Sequence, residues 1–202
     1  MTKIKLCGLS RSCDIEFANT CMPEWIGFVF ARKSRRFVTK EEAEVLKKTL
    51  KPDIKAVGVF VDEQIEIVAK IANQKIIDLI QLHGAENEEY IMKLRQQTSK
   101  PIIQAFLIQT GRDIEKAHNS SADFILLDAG KGTGSTFDWR LIKKINRPYF
   151  LAGGLDIENI SDALEQLNPY AVDVSSGIET NGYKDQNKMK EFVRLVRAEK
   201  KK

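Results

Sequence analysis

Cys7, His83 and Asp128 each stand at or just after the end of a short apolar run. Arg36 closes the basic stretch Arg32-Lys33-Ser34-Arg35-Arg36, and Asp173 is followed by Ser175-Ser176-Gly177. A thiol, an imidazole and carboxyls are the groups that give and take protons in general acid and base catalysis. A thiol with an ordinary pKa of about 8.5 becomes a useful base only where positive charge favours the thiolate. A carboxyl with an ordinary pKa of about 3.9 keeps a proton at neutral pH only where it is partly desolvated. Gly153-Gly154 and the Ser175-Ser176-Gly177 string suit an anion such as a phosphate, because glycine lets backbone N–H groups approach and the hydroxyls add donors. Lys131-Gly132-Thr133-Gly134, shortly after Asp128, is a further glycine-rich segment whose N–H groups can cap the same anion. It lacks the Gly-Lys-Ser/Thr ending of a nucleotide P-loop, which argues against ATP or GTP.

These residues are spread along the chain, so the fold must gather them. Short β-branched runs alternate with longer stretches of helical period. Strands are expected at Ile4–Cys7, Ile26–Phe30, Lys55–Phe60, Leu79–Leu82, Ile102–Phe106, Phe124–Leu127, Tyr149–Ala152 and Ala171–Val174. Helices are expected at Lys40–Leu50, Ile65–Ala72, Glu88–Gln97, Arg112–His118, Trp139–Ile145, Asn159–Leu167 and Gln186–Ala198, with an earlier one carrying Cys13 and Cys21 at core-like spacing. The alternation predicts an α/β fold with a parallel sheet. Eight strands at about 25 residues per unit predict closure into a TIM (β/α)8 barrel, near the lower size limit for one. A doubly wound open sheet would carry a glycine-rich turn after the first strand, which Cys7-Gly8-Leu9-Ser10 does not supply. A single domain over residues 1–202 is expected, with about 199–202 a disordered basic tail.

In such a barrel the loops after the strand C-termini build the active site. That rule selects the residues named at the outset, and it predicts a short helix after the eighth strand whose N-terminus faces the phosphate. It also sets controls. Asp123 precedes the sixth strand at the opposite barrel end, and Asp138 and Asp62 stand where helix N-caps belong.

Composition narrows the class. Hydrophobic residues at 43% and charged residues at 30% fit a globular protein, and the net charge of +4 comes partly from the Lys200-Lys201-Lys202 tail. An anion-binding loop accounts for the basic stretch without nucleic acid. No apolar run has signal-peptide or membrane-span length, so a cytoplasmic protein is expected. Cys7, Cys13 and Cys21 are read as free thiols, and His83 and His118 are too few and scattered for a metal site.

The strings Lys5-Leu6-Cys7-Gly8-Leu9, Gly27-Phe28-Val29-Phe30, Lys33-Ser34-Arg35-Arg36-Phe37, Val57-Gly58-Val59-Phe60-Val61 and Gln81-Leu82-His83-Gly84 occur in order. They are followed by Leu126-Leu127-Asp128, Gly132-Thr133-Gly134, Phe137-Asp138-Trp139, Ala152-Gly153-Gly154-Leu155 and Val172-Asp173-Val174-Ser175-Ser176-Gly177. On these motifs the chain resembles the phosphoribosylanthranilate isomerase family of tryptophan biosynthesis from end to end. The resemblance implies a cofactor-free Amadori rearrangement of a small phosphosugar-anthranilate, by a monomer or homodimer. It implies Asp128 as the acid, Cys7 as the base and Arg36 on the anthranilate carboxylate, where Arg36 and the substrate would also shape the field at Cys7. His83 either touches substrate or only packs at the rim. Asp173 orients substrate hydroxyls, hydrogen-bonds neighbouring groups or anchors its loop. Gly132, Gly134, Gly153, Gly154, Ser175 and Ser176 are implied at the phosphate. The segment Ala129-Gly130-Lys131-Gly132-Thr133-Gly134-Ser135 is shorter than the family pattern, and Lys131 either reaches the phosphate or faces solvent. The indole-forming synthase of the same pathway would need a lysine at a strand end, and the histidine-pathway isomerase an aspartate at Cys7.

Overall fold

Period-two alternation in the strands is resolved on the two faces of one closed sheet. The computed structural model describes residues 1–130, 142 and 145–198. The strands are β1 (Lys3–Cys7), β2 (Trp25–Val29), β3 (Lys55–Phe60), β4 (Leu79–Leu82), β5 (Ile102–Leu107), β6 (Phe124–Asp128), β7 (Tyr149–Ala152) and β8 (Ala171–Val174). They pair in parallel in chain order, and β8 returns to β1 with Lys5 opposite Asp173. On β1, Ile4 and Leu6 point outward into the main core beneath the helices, while Lys5 and Cys7 point inward. Each such fully buried Ile or Leu contributes about 1.5–3 kcal/mol.

The described helices are α1 (Ser12–Cys21), α2 (Lys40–Thr49), α3 (Ile65–Asn73), α4 (Glu88–Arg95), α5 (Gly111–Asn119), α6 (Ile160–Gln166) and α7 (Gln186–Ala198). Local chemistry sets their starts. Thr39 and Glu42 form a reciprocal capping box on α2, with Glu42 N donating to Thr39 Oγ1 at 3.1 Å and Thr39 N to Glu42 Oε2 at 2.7 Å. On α1 the buried Asp14 carboxylate accepts from the backbone N–H groups of Ser10 and Arg11, both at 3.0 Å, which fixes the turn just after Cys7.

The lower half of the barrel interior is plugged. Trp25, Val57, Leu79, Ile103, Leu126, Phe150 and Ala171 form a separate cluster there, with Trp25 and Phe150 ring centroids 5.1 Å apart. Asp123 accepts from Ile102 N at 2.8 Å and faces Arg95, a structural duty at the barrel end away from the strand C-termini.

Expected and observed elements differ by a residue or two at their ends, apart from four points. Asp62 does not cap α3. It has φ +51°, its Oδ1 accepts from Ala85 N at 2.6 Å, and Gln64 holds the N-cap position. Gly84 makes that packing possible, since a Cβ there would run into the Asp62 carboxylate. No helix follows β8 directly. A hairpin of β9 (Glu179–Thr180) and β10 (Tyr183–Lys184) stands there, turned by Asn181-Gly182 with φ +53° and +85°. That pair is the usual sequence of a tight hairpin with positive φ at both turn positions, and its hydrogen bonding forestalls a helix before α7. Cys21 is buried in the core, but Cys13 is only half-buried. The helix expected over Trp139–Ile145 lies largely outside the described residues. So do the Asp138 cap, Lys131, Gly132, Gly134 and the 199–202 tail, while Ile142 is helical and buried.

Candidate active site

Strand direction brings Cys7, His83, Asp128 and Asp173 to the same end of the barrel. Cys7 ends β1 opposite Gly27 of β2, and a Cβ on residue 27 would lie 2.7 Å from Cys7 Sγ and 3.2 Å from Lys5 Nζ. Glycine is required there to leave room for the thiol. The Lys5 ammonium, wholly buried, donates to Asp173 Oδ1 at 2.9 Å and Oδ2 at 2.8 Å. Asp173 therefore hydrogen-bonds a neighbouring group of the site, the second of the roles its position allowed.

Burial pushes the Cys7 thiol up. The Lys5 ammonium pulls it down and the Asp173 carboxylate pushes it back, and the outcome is a thiol above its ordinary range. The resemblance implies that bound substrate together with Arg36 shapes this field; in the free protein the main cation on the thiol is a residue of its own strand. The cations acting on Cys7 are Lys5 and, more weakly, Lys184. Arg36 is turned to Glu179, with Nε donating to Oε1 at 2.6 Å and Nη2 to Oε2 at 2.9 Å. Its stem crosses Gly8, φ +77°, where any side chain would collide with it. Glu179 also accepts from Arg35 at 2.6 Å and from Lys184 Nζ at 2.7 Å. Burial works to raise its carboxyl, but the bonds to Arg36 and Lys184 outweigh that and hold it at about 2.

Asp128 ends β6 on the other side of the mouth. Its Oδ1 accepts from Gly130 N at 2.8 Å, and Oδ2 lies 3.5 Å from His83 Nε2. The Gln81 amide lies against the other ring nitrogen, with Gln81 Nε2 2.8 Å from His83 Nδ1, and holds the imidazole in place beside Asp128. The expectation that desolvation lets Asp128 hold its proton is corrected. Burial does push the carboxyl up, but the His83 and Gly130 hydrogen bonds prevail and its pKa falls below the ordinary value. His83 is more than a rim-packing residue, since it contacts this carboxylate directly.

The loops after β7 and β8 are pressed together. Gly153 and Gly154 have φ +92° and +66°, and a Cβ on Gly153 would stand 2.5 Å from Ala129 N and from Asp128 Oδ1. Asp156 pairs with Gly177 as an isolated parallel bridge, which ties together the segments that follow β7 and β8. Ser175 Oγ donates to the Cys7 carbonyl at 3.1 Å, so this hydroxyl is already engaged. Among the described residues no group of His, Cys, Asp and Glu could hold a metal ion, and no helix is long and apolar enough to cross a membrane.

Lys5, Glu179, Lys184 and Gln81 were not singled out from the sequence. The signal for Lys5 was present: in Lys3-Ile4-Lys5-Leu6-Cys7 it shares the inward face with Cys7.

Residues 4–195 match the family model described as N-(5'phosphoribosyl)anthranilate (PRA) isomerase. The N-(5'-phosphoribosyl)anthranilate isomerase of Clostridium acetobutylicum is 46% identical over 206 residues, 98% of each chain. The crystal structure of phosphoribosyl anthranilate isomerase from Thermotoga maritima superposes with a TM-score of 0.89 at 35% identity, covering 98% of this chain and 100% of that one. A phosphoribosyl anthranilate isomerase in complex with reduced 1-(o-carboxyphenylamino)-1-deoxyribulose 5-phosphate superposes with a TM-score of 0.87 at 35% identity, with the same coverage.

Proposed function

The chain belongs to the N-(5'-phosphoribosyl)anthranilate isomerase family, and from that premise we infer how its barrel mouth performs the family's reaction. The enzyme is an isomerase of tryptophan biosynthesis. It converts N-(5-phosphoribosyl)anthranilate to 1-(2-carboxyphenylamino)-1-deoxyribulose 5-phosphate.

Two proton movements are needed. An acid protonates the ribose ring oxygen so that the C1–O bond breaks and a Schiff base forms; a base then takes the proton from C2. Asp128 is assigned as the acid and Cys7 as the base. The observation that carries this reading is that these two proton-transfer groups stand on β6 and β1, on opposite sides of one mouth, each in a niche that only a glycine leaves open. The free enzyme favours a proton on sulfur and a bare carboxylate. Catalysis needs the same proton on Asp128, so the working form is a minor arrangement of one shared proton.

Arg36 is assigned to the anthranilate carboxylate, offering the part of its fork that Glu179 does not hold. Gly153, Gly154, Ser175 and Ser176 are assigned to the phosphate, with Gly132 and Gly134 joining them by resemblance. His83 sits against Asp128 and steadies its carboxylate. A base that works as a free thiol needs a reducing compartment, which supports the cytoplasm.

Turnover of freshly made phosphoribosylanthranilate by wild type, Cys7→Ala and Asp128→Asn, with circular dichroism as the fold control, tests the pair. Loss of activity in both folded variants is expected. Near-normal turnover in either removes that residue from its role.

A further inference from the structure

Lys5 lies at the base of the mouth with no solvent exposure. A buried ammonium is costly unless it is paired and hydrogen-bonded. Of its three N–H donors, two reach Asp173 at 2.9 and 2.8 Å. Lys5 and Cys7 share the inward face of β1, and the Cβ position of Gly27 lies within contact of both Sγ and Nζ. A single small volume on β2, kept empty by glycine, thus borders ammonium and thiol alike.

We propose that Lys5 is a positioning residue for Cys7: its ammonium, clamped by Asp173, balances the sulfur's charge in the thiolate form and fixes the direction from which the sulfur meets the sugar. The proposal rests on the reading of Cys7 as the base. In the step it serves, the C2–H bond breaks and the proton passes to Sγ to form S–H. The electron pair moves into the C1–C2 bond, and the C1–N π pair returns to nitrogen. Lys5 keeps its three protons throughout.

The charges facing Cys7 are Lys5 from its own strand, Asp173 from β8 and Lys184 from β10. Arg36, nearby, is committed to Glu179. Asp173 has a double part: it opposes the thiolate directly, yet it keeps Lys5 charged in a place where burial alone would strip the proton. A lysine that only neutralised Asp173 would leave the chemistry of Cys7 unchanged.

The test reads the pH dependence of iodoacetamide alkylation of Cys7 in the free enzyme, by mass spectrometry of the peptide that carries it. In Lys5→Met the midpoint is expected to rise by about one pH unit or more, since one unit is a tenfold change in thiolate fraction. The double variant Lys5→Met/Asp173→Asn removes the buried pair together and decides the matter if the single variant does not fold. Its midpoint is expected to rise by less, because the opposing carboxylate is also lost. A midpoint unmoved in a folded variant overturns the assignment of Lys5. Turnover retained by Cys7→Ala overturns the base assignment instead, so the two failures are told apart.

Discussion

Arg36 grips Glu179 through two parallel hydrogen bonds, Nε to Oε1 at 2.6 Å and Nη2 to Oε2 at 2.9 Å. The arginine assigned to the substrate carboxylate is therefore already held by a carboxylate of its own chain, which aims it across Gly8 toward the mouth. A side-on carboxylate partner restricts a long side chain before substrate arrives, reducing the ordering cost of binding.

Glu179→Gln should loosen that aim. The amide still bonds one donor but loses the paired charge, leaving Arg36 mobile and Lys184 without its counter-ion. KM for phosphoribosylanthranilate is expected to rise by about tenfold, the equivalent of one lost charge-assisted hydrogen bond of about 1.5 kcal/mol. The effect on kcat should be smaller. Steady-state kinetics on wild type and Glu179→Gln check this, and a fall in kcat alone would count against it.

Glu179 also predicts part of the acid sensitivity. Its folded-state pKa is depressed to about 2, so its contribution to stability is present above the unfolded carboxylate value of about 4.3 and is lost as pH falls through that window. Thermal denaturation between these limits should show wild type losing more stability than Glu179→Gln, which has no carboxylate to protonate. Parallel curves would contradict it.

The pKa directions at Cys7 and Asp128 fix the shape of the rate profile. Asp128 titrates below the ordinary carboxylate range and Cys7 above the ordinary thiol range. The plot of kcat/KM against pH should be flat across neutrality, with an acid limb governed by Asp128 and an alkaline limb by Cys7. Throughout the plateau only the minor proton arrangement turns over, which keeps its height low. A narrow bell centred near pH about 6.5, the histidine range, would instead point to His83.

Two glycines make a matched pair of tests. Gly153→Ala forces a side chain into φ +92° and toward the Asp128 carboxylate, whereas Gly27→Ala has an ordinary φ but intrudes on Cys7 Sγ. The first should lower stability by about 1–3 kcal/mol through backbone strain and also reduce kcat/KM. The second carries no φ strain and should slow both turnover and Cys7 alkylation. Urea denaturation beside kinetics separates them.

The barrel was legible because each strand's β-branched alternation is a local property, and β3, β4, β7 and β8 begin and end where the sequence places them. Cys7 and Asp128 were legible for the same reason, since strand ends mark the mouth. Arg36 and Glu179 lie 143 positions apart, so neither motif announces the other. Lys5 was less legible because it lies two residues before the strand end that marks the mouth, and its partner Asp173 is at the far end of the sequence. The hairpin turned by Asn181-Gly182 carries a plain local signal in that pair, but its strands are only two residues long, too short for an alternating pattern to mark them. The direction of the Asp128 shift was not legible at all. It depends on His83 from β4 and the Gly130 amide outweighing burial, a balance that exists only after the ring is formed.

Lys5 and Asp173 are 168 positions apart, on the first strand and the last. During synthesis the lysine emerges early, and its counter-charge is almost the last part of the sheet to leave the ribosome. Until β8 arrives, an incomplete sheet cannot enclose the β1 lysine without stranding its charge. The ion pair thus joins chemical competence to completion of the ring: a truncated chain should remain open at the β1 edge, exposed to chaperones and proteases, and inactive.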